Sequence, residues 1–325
     1  MGGSSGGEAA SLASGISSAG LGTDFGGSVR WPAQCARLVG LRPTVGRVPG
    51  SGQFPATTRA NGASPNPRTL QGMLQVIGPI GRTVDDVECI LRAISGPDHL
   101  DPVAVPVQLR HSSSVDIRSI ECRWGTTVGP RTVSDEVAGA TGYAAEILRD
   151  HCASLVESLP SAMNLAYGLY GEMRDAEPLT ELRQAVAGRE HMLGGEIVNL
   201  LSRTAQASDE DLARLWADRD SLRQELLQWL RGDRVLLMPV STVAPSKLTT
   251  NLLTESRLPM SEAEIVAPSR IVSLFGLPSL SAPCGHDSAG GPLSVQLVAP
   301  PFREDLVLAL GKLIFAPRQF DDCWP

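Results

Sequence analysis

Short apolar runs that read as buried strands alternate along this chain with longer segments whose apolar residues recur at helical spacing, and that alternation limits the folds open to it. The clearest junction lies in residues 209–239. Leu212, Leu215, Trp216, Leu222, Leu226, Trp229 and Leu230 form one apolar stripe over 209–231, and Val235-Leu236-Leu237-Met238-Pro239 follows as a buried strand. Strands alternating with helices in this way predict an α/β sheet covered on both faces.

Other segments carry their own start and stop signals. Residues 84–94 place Val84, Val87, Ile90, Leu91 and Ile94 at helical spacing, with Thr83 as cap, Asp85 and Asp86 in the first turn, and Gly96 then Pro97 as the stop. Ser134 caps a second helix, with Asp135 and Glu136 in its first turn and Val137, Tyr143, Ala144, Ile147 and Leu148 on one side. The alanine-rich residues 8–18 predict a tightly packed helix. Ser261 starts another that ends near Gly276 and Pro278; residues 279–283 and 293–298 read as strands around a polar turn, and a helix from 303 to about 315 closes the pattern. Residues 39–49 show no readable boundaries, 50–69 and 103–114 read as loops, and 163–201 is the least decipherable insertion. No period of 20 to 50 residues recurs, which argues against a solenoid or propeller.

With 325 residues, 42% of them hydrophobic and 19% charged, the chain can bury a sizeable core. None of its loops is long or polar enough to separate independent units, so one domain over residues 1–325 is expected. The net charge of −7 and the lack of any Lys/Arg cluster argue against a nucleic-acid surface. The longest strongly apolar stretch, 306–316, is interrupted by Lys312 and too short to span a bilayer. The first residues lack the basic and apolar regions of a signal peptide, and Gly6 breaks the myristoylation pattern. The expectation is a soluble, cytoplasmic protein. The six cysteines (Cys35, Cys89, Cys122, Cys152, Cys284, Cys323) show no metal-finger spacing and read as reduced structural thiols, and no HExxH-type pattern points to a metal.

Two glycine-rich serine segments stand at the front: MGGSSGG at 1–7 and GTDFGGSVR at 22–30, with Ser4 and Ser28 24 positions apart. Glycines around a serine let backbone N–H groups crowd a reacting carbonyl, as an oxyanion site requires. Taken alone, MGGSSGG has three readings: a flexible linker, the GxSxG elbow of α/β-hydrolases, which needs a preceding strand, or part of a longer pattern. The five histidines (His99, His111, His151, His191, His286) have no recognisable Asp partner for a Ser-His-Asp triad. Cys35, near the second segment, has no indicated base and reads as an inert packed thiol.

The ordered run GGSSGGEAASLASG, GLGTDFGGSVRWPA and VGLRPTVGRVPG resembles the amidase signature family, and further similar segments follow at GPIGRTVDD, LFGLPSLSAPCG and QLVAPPFRED. The resemblance implies an α/β/α sandwich with a central mixed sheet covered by helices, its N-terminal part missing here. It also implies hydrolysis of a small-molecule carboxylic amide by a Ser, cis-Ser, Lys triad, without a cofactor. Carried over, Ser28 is the nucleophile, Ser4 the bridging serine after a cis peptide bond, and the N–H groups of Phe25, Gly26, Gly27 and Ser28 the oxyanion-hole candidates. Thr23 and Ser5 become hydrogen-bonding supports, and Asp24 and Arg30 a pair whose expected role is to fix the loop. Arg37 departs from the pattern, standing where the family usually has glycine.

The family's lysine lies upstream of GGSSGG, and the chain's two lysines, Lys247 and Lys312, do not match its motif. A truncated gene product or late start at Met1 is therefore expected, nearly inactive as it stands and prone to associate, or to form a homo-oligomer, through uncovered surface. The alternatives are a non-catalytic binding protein with an amidase fold and an amidotransferase-type subunit needing partner chains; FGGSVRWPA differs from the TGGSIRQPA associated with the latter.

Overall fold

The computed structural model describes residues 2–54, 57–59, 62–64, 66, 69–127, 129, 132–203, 207–246 and 261–315. Lys247 and Cys323, and parts of the 50–69 segment, lie outside them. The chain opens with α1 (Gly6–Ala13), β1 (Gly20–Asp24), α2 (Arg30–Cys35) and β2 (Val39–Arg42), then a short hairpin of β3 (Thr57–Arg59) and β4 (Gly62–Ser64). Next come α3 (Leu70–Leu74), β5 (Val76–Gly81), α4 (Val84–Ile94), β6 (Glu121–Trp124), α5 (Asp135–Arg149) and β7 (Ser154–Glu157). Four helices follow in succession: α6 (Ala162–Ala176), α7 (Thr180–Val186), α8 (Gly195–Arg203) and α9 (Asp209–Trp229). The order ends with β8 (Arg234–Pro239), α10 (Glu262–Ile265), α11 (Ala267–Leu274), β9 (Ser279–His286), β10 (Pro292–Val298) and α12 (Glu304–Ile314).

Eight strands form one sheet in the order β1-β5-β2-β9-β10-β8-β6-β7. It is mixed, as expected: β6 runs parallel to β7 and β8, and the remaining pairs are antiparallel. β8 shows why the sheet needs cover on both faces. Val235 and Leu237 join the core formed with α4, α5 and α12, whereas Leu236 and Met238 join the core formed with α6, α9 and α11. The strand's period of two sends alternate side chains into two hydrophobic layers.

Caps set several helix starts where the sequence places them. The Thr83 hydroxyl accepts from Asp86 N–H at 3.1 Å and the Asp86 carboxylate accepts from Thr83 N–H at 2.9 Å, a reciprocal capping box. Ser208 with Asp211 starts α9 in the same way, and Ser134 caps α5.

Four expectations are corrected. α1 stops at Ala13, short of residue 18, because Gly15 turns the chain at φ +75°. Tyr143 is half exposed instead of sharing the buried side of α5 with Val137, Ala144 and Leu148. The single helix expected over 261–276 breaks at Val266 into α10 and α11, since Pro268 has no N–H to continue the ladder. The 50–69 loop contains the β3–β4 hairpin, and the undeciphered 163–201 segment is helical over most of its length.

β9 and β10 are two-faced. Leu280, Ala282, Cys284, Leu293, Val295 and Leu297 enter the apolar core. Their alternates Ser279, Ser281, Ser294 and Gln296 point the other way, yet these too are buried, because α2 packs across that face.

Candidate active site

The candidate site residues sit where β1 ends and α2 begins, beside the loop of residues 2–5. β1 stops at Asp24, which is fully buried. Its Oδ1 accepts from Gly27 N–H at 2.8 Å and its Oδ2 from Val29 N–H at 3.2 Å, so one carboxylate bends the chain around Ser28. Gly27 takes φ +112°, and a Cβ there would stand 2.8 Å from Ser269 Cβ, so both conformation and space require glycine.

Arg30, also fully buried on the first turn of α2, pairs with Asp24 through Nε (3.0 Å to Oδ2) and Nη2 (3.0 Å to Oδ1). Its guanidinium also reaches Gln296 Oε1 at 2.8 Å, Ser273 Oγ at 2.7 Å and the Ser269 carbonyl at 2.9 Å. Arg42 of β2 supplies a second guanidinium at 3.4 Å from Asp24 Oδ1. Burial alone would raise the Asp24 pKa, but the two arginines and the N–H donors outweigh it and hold the carboxyl well below its usual range. Arg42, by contrast, is lowered to about 10 by burial, only partly offset by Asp24. Asp24 and Arg30 thus lock the loop from beneath.

The N-terminal loop is tied to this frame by Ser5. Its N–H donates to the Ser28 carbonyl at 3.2 Å, its hydroxyl accepts from Thr23 N–H at 3.2 Å, and that hydroxyl donates to the Thr23 carbonyl at 3.4 Å. Gly22 permits the approach, for a Cβ there would lie 2.5 Å from Ser5 Oγ. The Gly3–Ser4 peptide is cis. Ser4 is exposed beside Ser5, and Ser28 is half-buried.

Beside the loop lies a cleft of about 220 Å³ whose lining joins Gly3, Phe25, Gly26, Gly27 and Ser28 to Tyr170, Arg174, Glu262, Val266 and Arg270; Tyr170 and Arg270 pack against Gly26 of the loop. Sequence reading did not single out this second group, nor Arg42, Ser273 and Gln296. One signal was present: Ser279, Ser281, Ser294 and Gln296 alternate with apolar residues, and a polar strand face that is buried needs a polar or ionic partner such as Arg30. A wider cavity of about 500 Å³, lined by Glu136, Tyr143, Cys284 and His286 among others, lies away from both serine segments. It brings no serine or oxyanion-type backbone together, so the smaller cleft is the better candidate.

The Gly27 N–H, expected among the oxyanion donors, is already given to Asp24. The N–H groups of Phe25, Gly26 and Ser28 are not among the donors to that carboxylate. Burial pushes the Cys35 thiol up to about 12, which keeps it protonated. Among the described residues no three His, Cys, Asp or Glu side chains stand together to hold a metal ion, and no helix is long and apolar enough to cross a membrane.

The Amidase family profile matches residues 1–308. The chain belongs to the amidase family. This amidase-family chain is 31% identical over 329 residues to the A-subunit of glutamyl-tRNA(Gln) amidotransferase from Staphylococcus saprophyticus, covering 93% of its own length and 64% of the relative's. It is 26% identical to human fatty-acid amide hydrolase 2, with 97% and 60% covered. It therefore spans less than two thirds of the length of these curated relatives. A 6-aminohexanoate cyclic dimer hydrolase complexed with substrate superposes with a TM-score of 0.79 at 24% identity, over 96% of this chain and 67% of that one, a likeness of fold. Arg37, expected from the resemblance to stand in place of a glycine, holds φ +56°, in the left-handed region that glycine occupies without cost.

Proposed function

We propose that this chain carries the serine site of an amide hydrolase. Ser28 Oγ attacks the carbonyl carbon of a carboxylic amide, and its proton passes by way of Ser4 towards the leaving amine. The C–N bond breaks as the amine departs, and water then releases the acid from the acyl-enzyme. The N–H groups of Phe25, Gly26 and Ser28 stabilise the oxyanion, while Gly27 N–H serves the loop through Asp24. One observation carries this reading: the nucleophile candidate lines a cleft on a loop whose curvature is fixed by a fully buried carboxylate with two arginines.

Lys312 does not act as the base. It donates to Glu88 Oε2 and Ser112 Oγ, each at 2.8 Å, and pairs with Asp85 at 2.6 Å. Burial would lower its pKa, but these carboxylates outweigh burial and raise it, so the ammonium stays charged. With Lys312 held elsewhere, a fluorophosphonate is expected to label Ser28 slowly, with label lost in Ser28→Ala and slowed further, at least tenfold, in Ser4→Ala; peptide mapping locates it. Label that persists unchanged in Ser28→Ala rejects the assignment.

An amidotransferase-type subunit is the second reading, supported by the 31% identity to the amidotransferase relative. It predicts that amide cleavage appears only when partner chains are added, whereas the hydrolase reading requires none.

A further inference from the structure

The cleft that Ser28 lines also holds two guanidinium groups, Arg174 and Arg270, that take no part in fixing the loop through Asp24. Arg174 of α6 lies with its guanidinium 4.9 Å from the centre of the Phe25 ring, and Arg270 of α11 lies 5.7 Å from that of Tyr170. The two rings are themselves 5.8 Å apart, so the guanidinium groups flank one aromatic pair at the cleft. Arg174 pairs at 3.8 Å with the buried carboxylate of Glu177 through Nη1, an atom that is itself buried and has no hydrogen-bond partner among the described residues. Arg270 makes no ion pair among the described residues. The carboxylate of the lining is Glu262, which is exposed. Beneath the loop, Arg30 and Arg42 face one carboxylate, Asp24, so charge there is not negative either.

Guanidinium groups held over aromatic rings are positioned before a ligand arrives, and a planar fork matches a carboxylate. We propose that the amide taken by this cleft carries a carboxylate, seated by Arg174 and Arg270 while its carbonyl faces Ser28. This rests on the cleft being the amide site, and it adds the chemical class of the substrate: a compact amide acid whose charge lies a few bonds from the scissile carbonyl. Tyr170 lines the same cleft, and burial keeps its hydroxyl protonated, so it adds a donor and not a competing anion.

The test compares glutaramate with glutaramide, which match in length and differ in one carboxylate. Titration calorimetry on the full 325-residue chain is expected to show glutaramate binding at least tenfold more tightly, an advantage that shrinks as salt is raised. Arg174→Gln and Arg270→Gln should each remove most of that preference, while Arg270→Lys keeps part of it and Glu262→Gln strengthens glutaramate binding two- to threefold. Thermal unfolding of each variant checks that it is folded. Equal binding of the two probes, no binding of glutaramate, or a preference that survives in the folded double Arg→Gln variant overturns the proposal. Ser28→Ala should retain the preference, so the nucleophile assignment can fail in the labelling experiment while carboxylate recognition stands, and the reverse.

Discussion

Asp24 is where loop shape, electrostatics and stability meet. Removing its charge leaves Arg30 and Arg42 buried without their shared carboxylate, and breaking such a cluster typically costs roughly 3–5 kcal/mol. Asp24→Asn is therefore expected to lower the urea midpoint by that equivalent and to abolish Ser28 labelling. The pH dependence has a definite sign. An unfolded Asp titrates at ~3.9, and the folded group lies below it. The stabilisation is fully present above pH ~4 and is lost as pH falls through the folded value, where the unfolded chain binds the extra proton. Urea midpoints measured between pH 6 and pH 3 should fall more steeply in the unsubstituted chain than in Asp24→Asn. Sequence reading placed Asp24 and Arg30 as a loop-fixing pair, because a buried charge needs a partner. It did not find Arg42, Ser273 or Gln296, since nothing local ties residue 30 to residue 296.

At the scale of elements, local chemistry decides ends better than faces. α4 begins and ends where Thr83, Asp86 and the Gly96-Pro97 stop place it, because a capping box satisfies N–H groups within one turn. Thr83→Ala should cost about 1 kcal/mol, read from the urea midpoint, as should Ser208→Ala at the start of α9. Tyr143 shows the opposite case. Helical spacing puts it beside Ala144, yet only the positions of the sheet and α12 determine which part of the α5 surface is covered. The same holds for β10, whose Ser294 and Gln296 face is buried because α2 lies on it.

Across the whole molecule, the first and last parts of the chain are joined in one sheet and by buried charge. Arg47, just beyond β2, pairs with Glu304 at the start of α12 at 2.9 Å, and Glu304 Oε1 also accepts from Thr44 N–H at 2.9 Å. We propose that the chain unfolds as one cooperative unit. Near-ultraviolet circular dichroism and tryptophan fluorescence should give coincident transitions, and Glu304→Gln should shift both together by the equivalent of roughly 3 kcal/mol or more. Two separated transitions would contradict this.

The sequence by itself determined the layered α/β class, the main helix starts and the pairing of two serine segments, because periodicity, caps and glycine runs act over a few residues. Only the tertiary structure decided which N–H of the loop is given to Asp24, which polar strand face receives Arg30, and that Arg174 and Arg270 line one cleft with Ser28. Arg30 and Gln296 lie 266 positions apart in the chain, and α6 and α11 come from its middle and its last third to face a loop at its front. Such contacts depend on how whole elements pack, and no local rule of spacing or propensity encodes them.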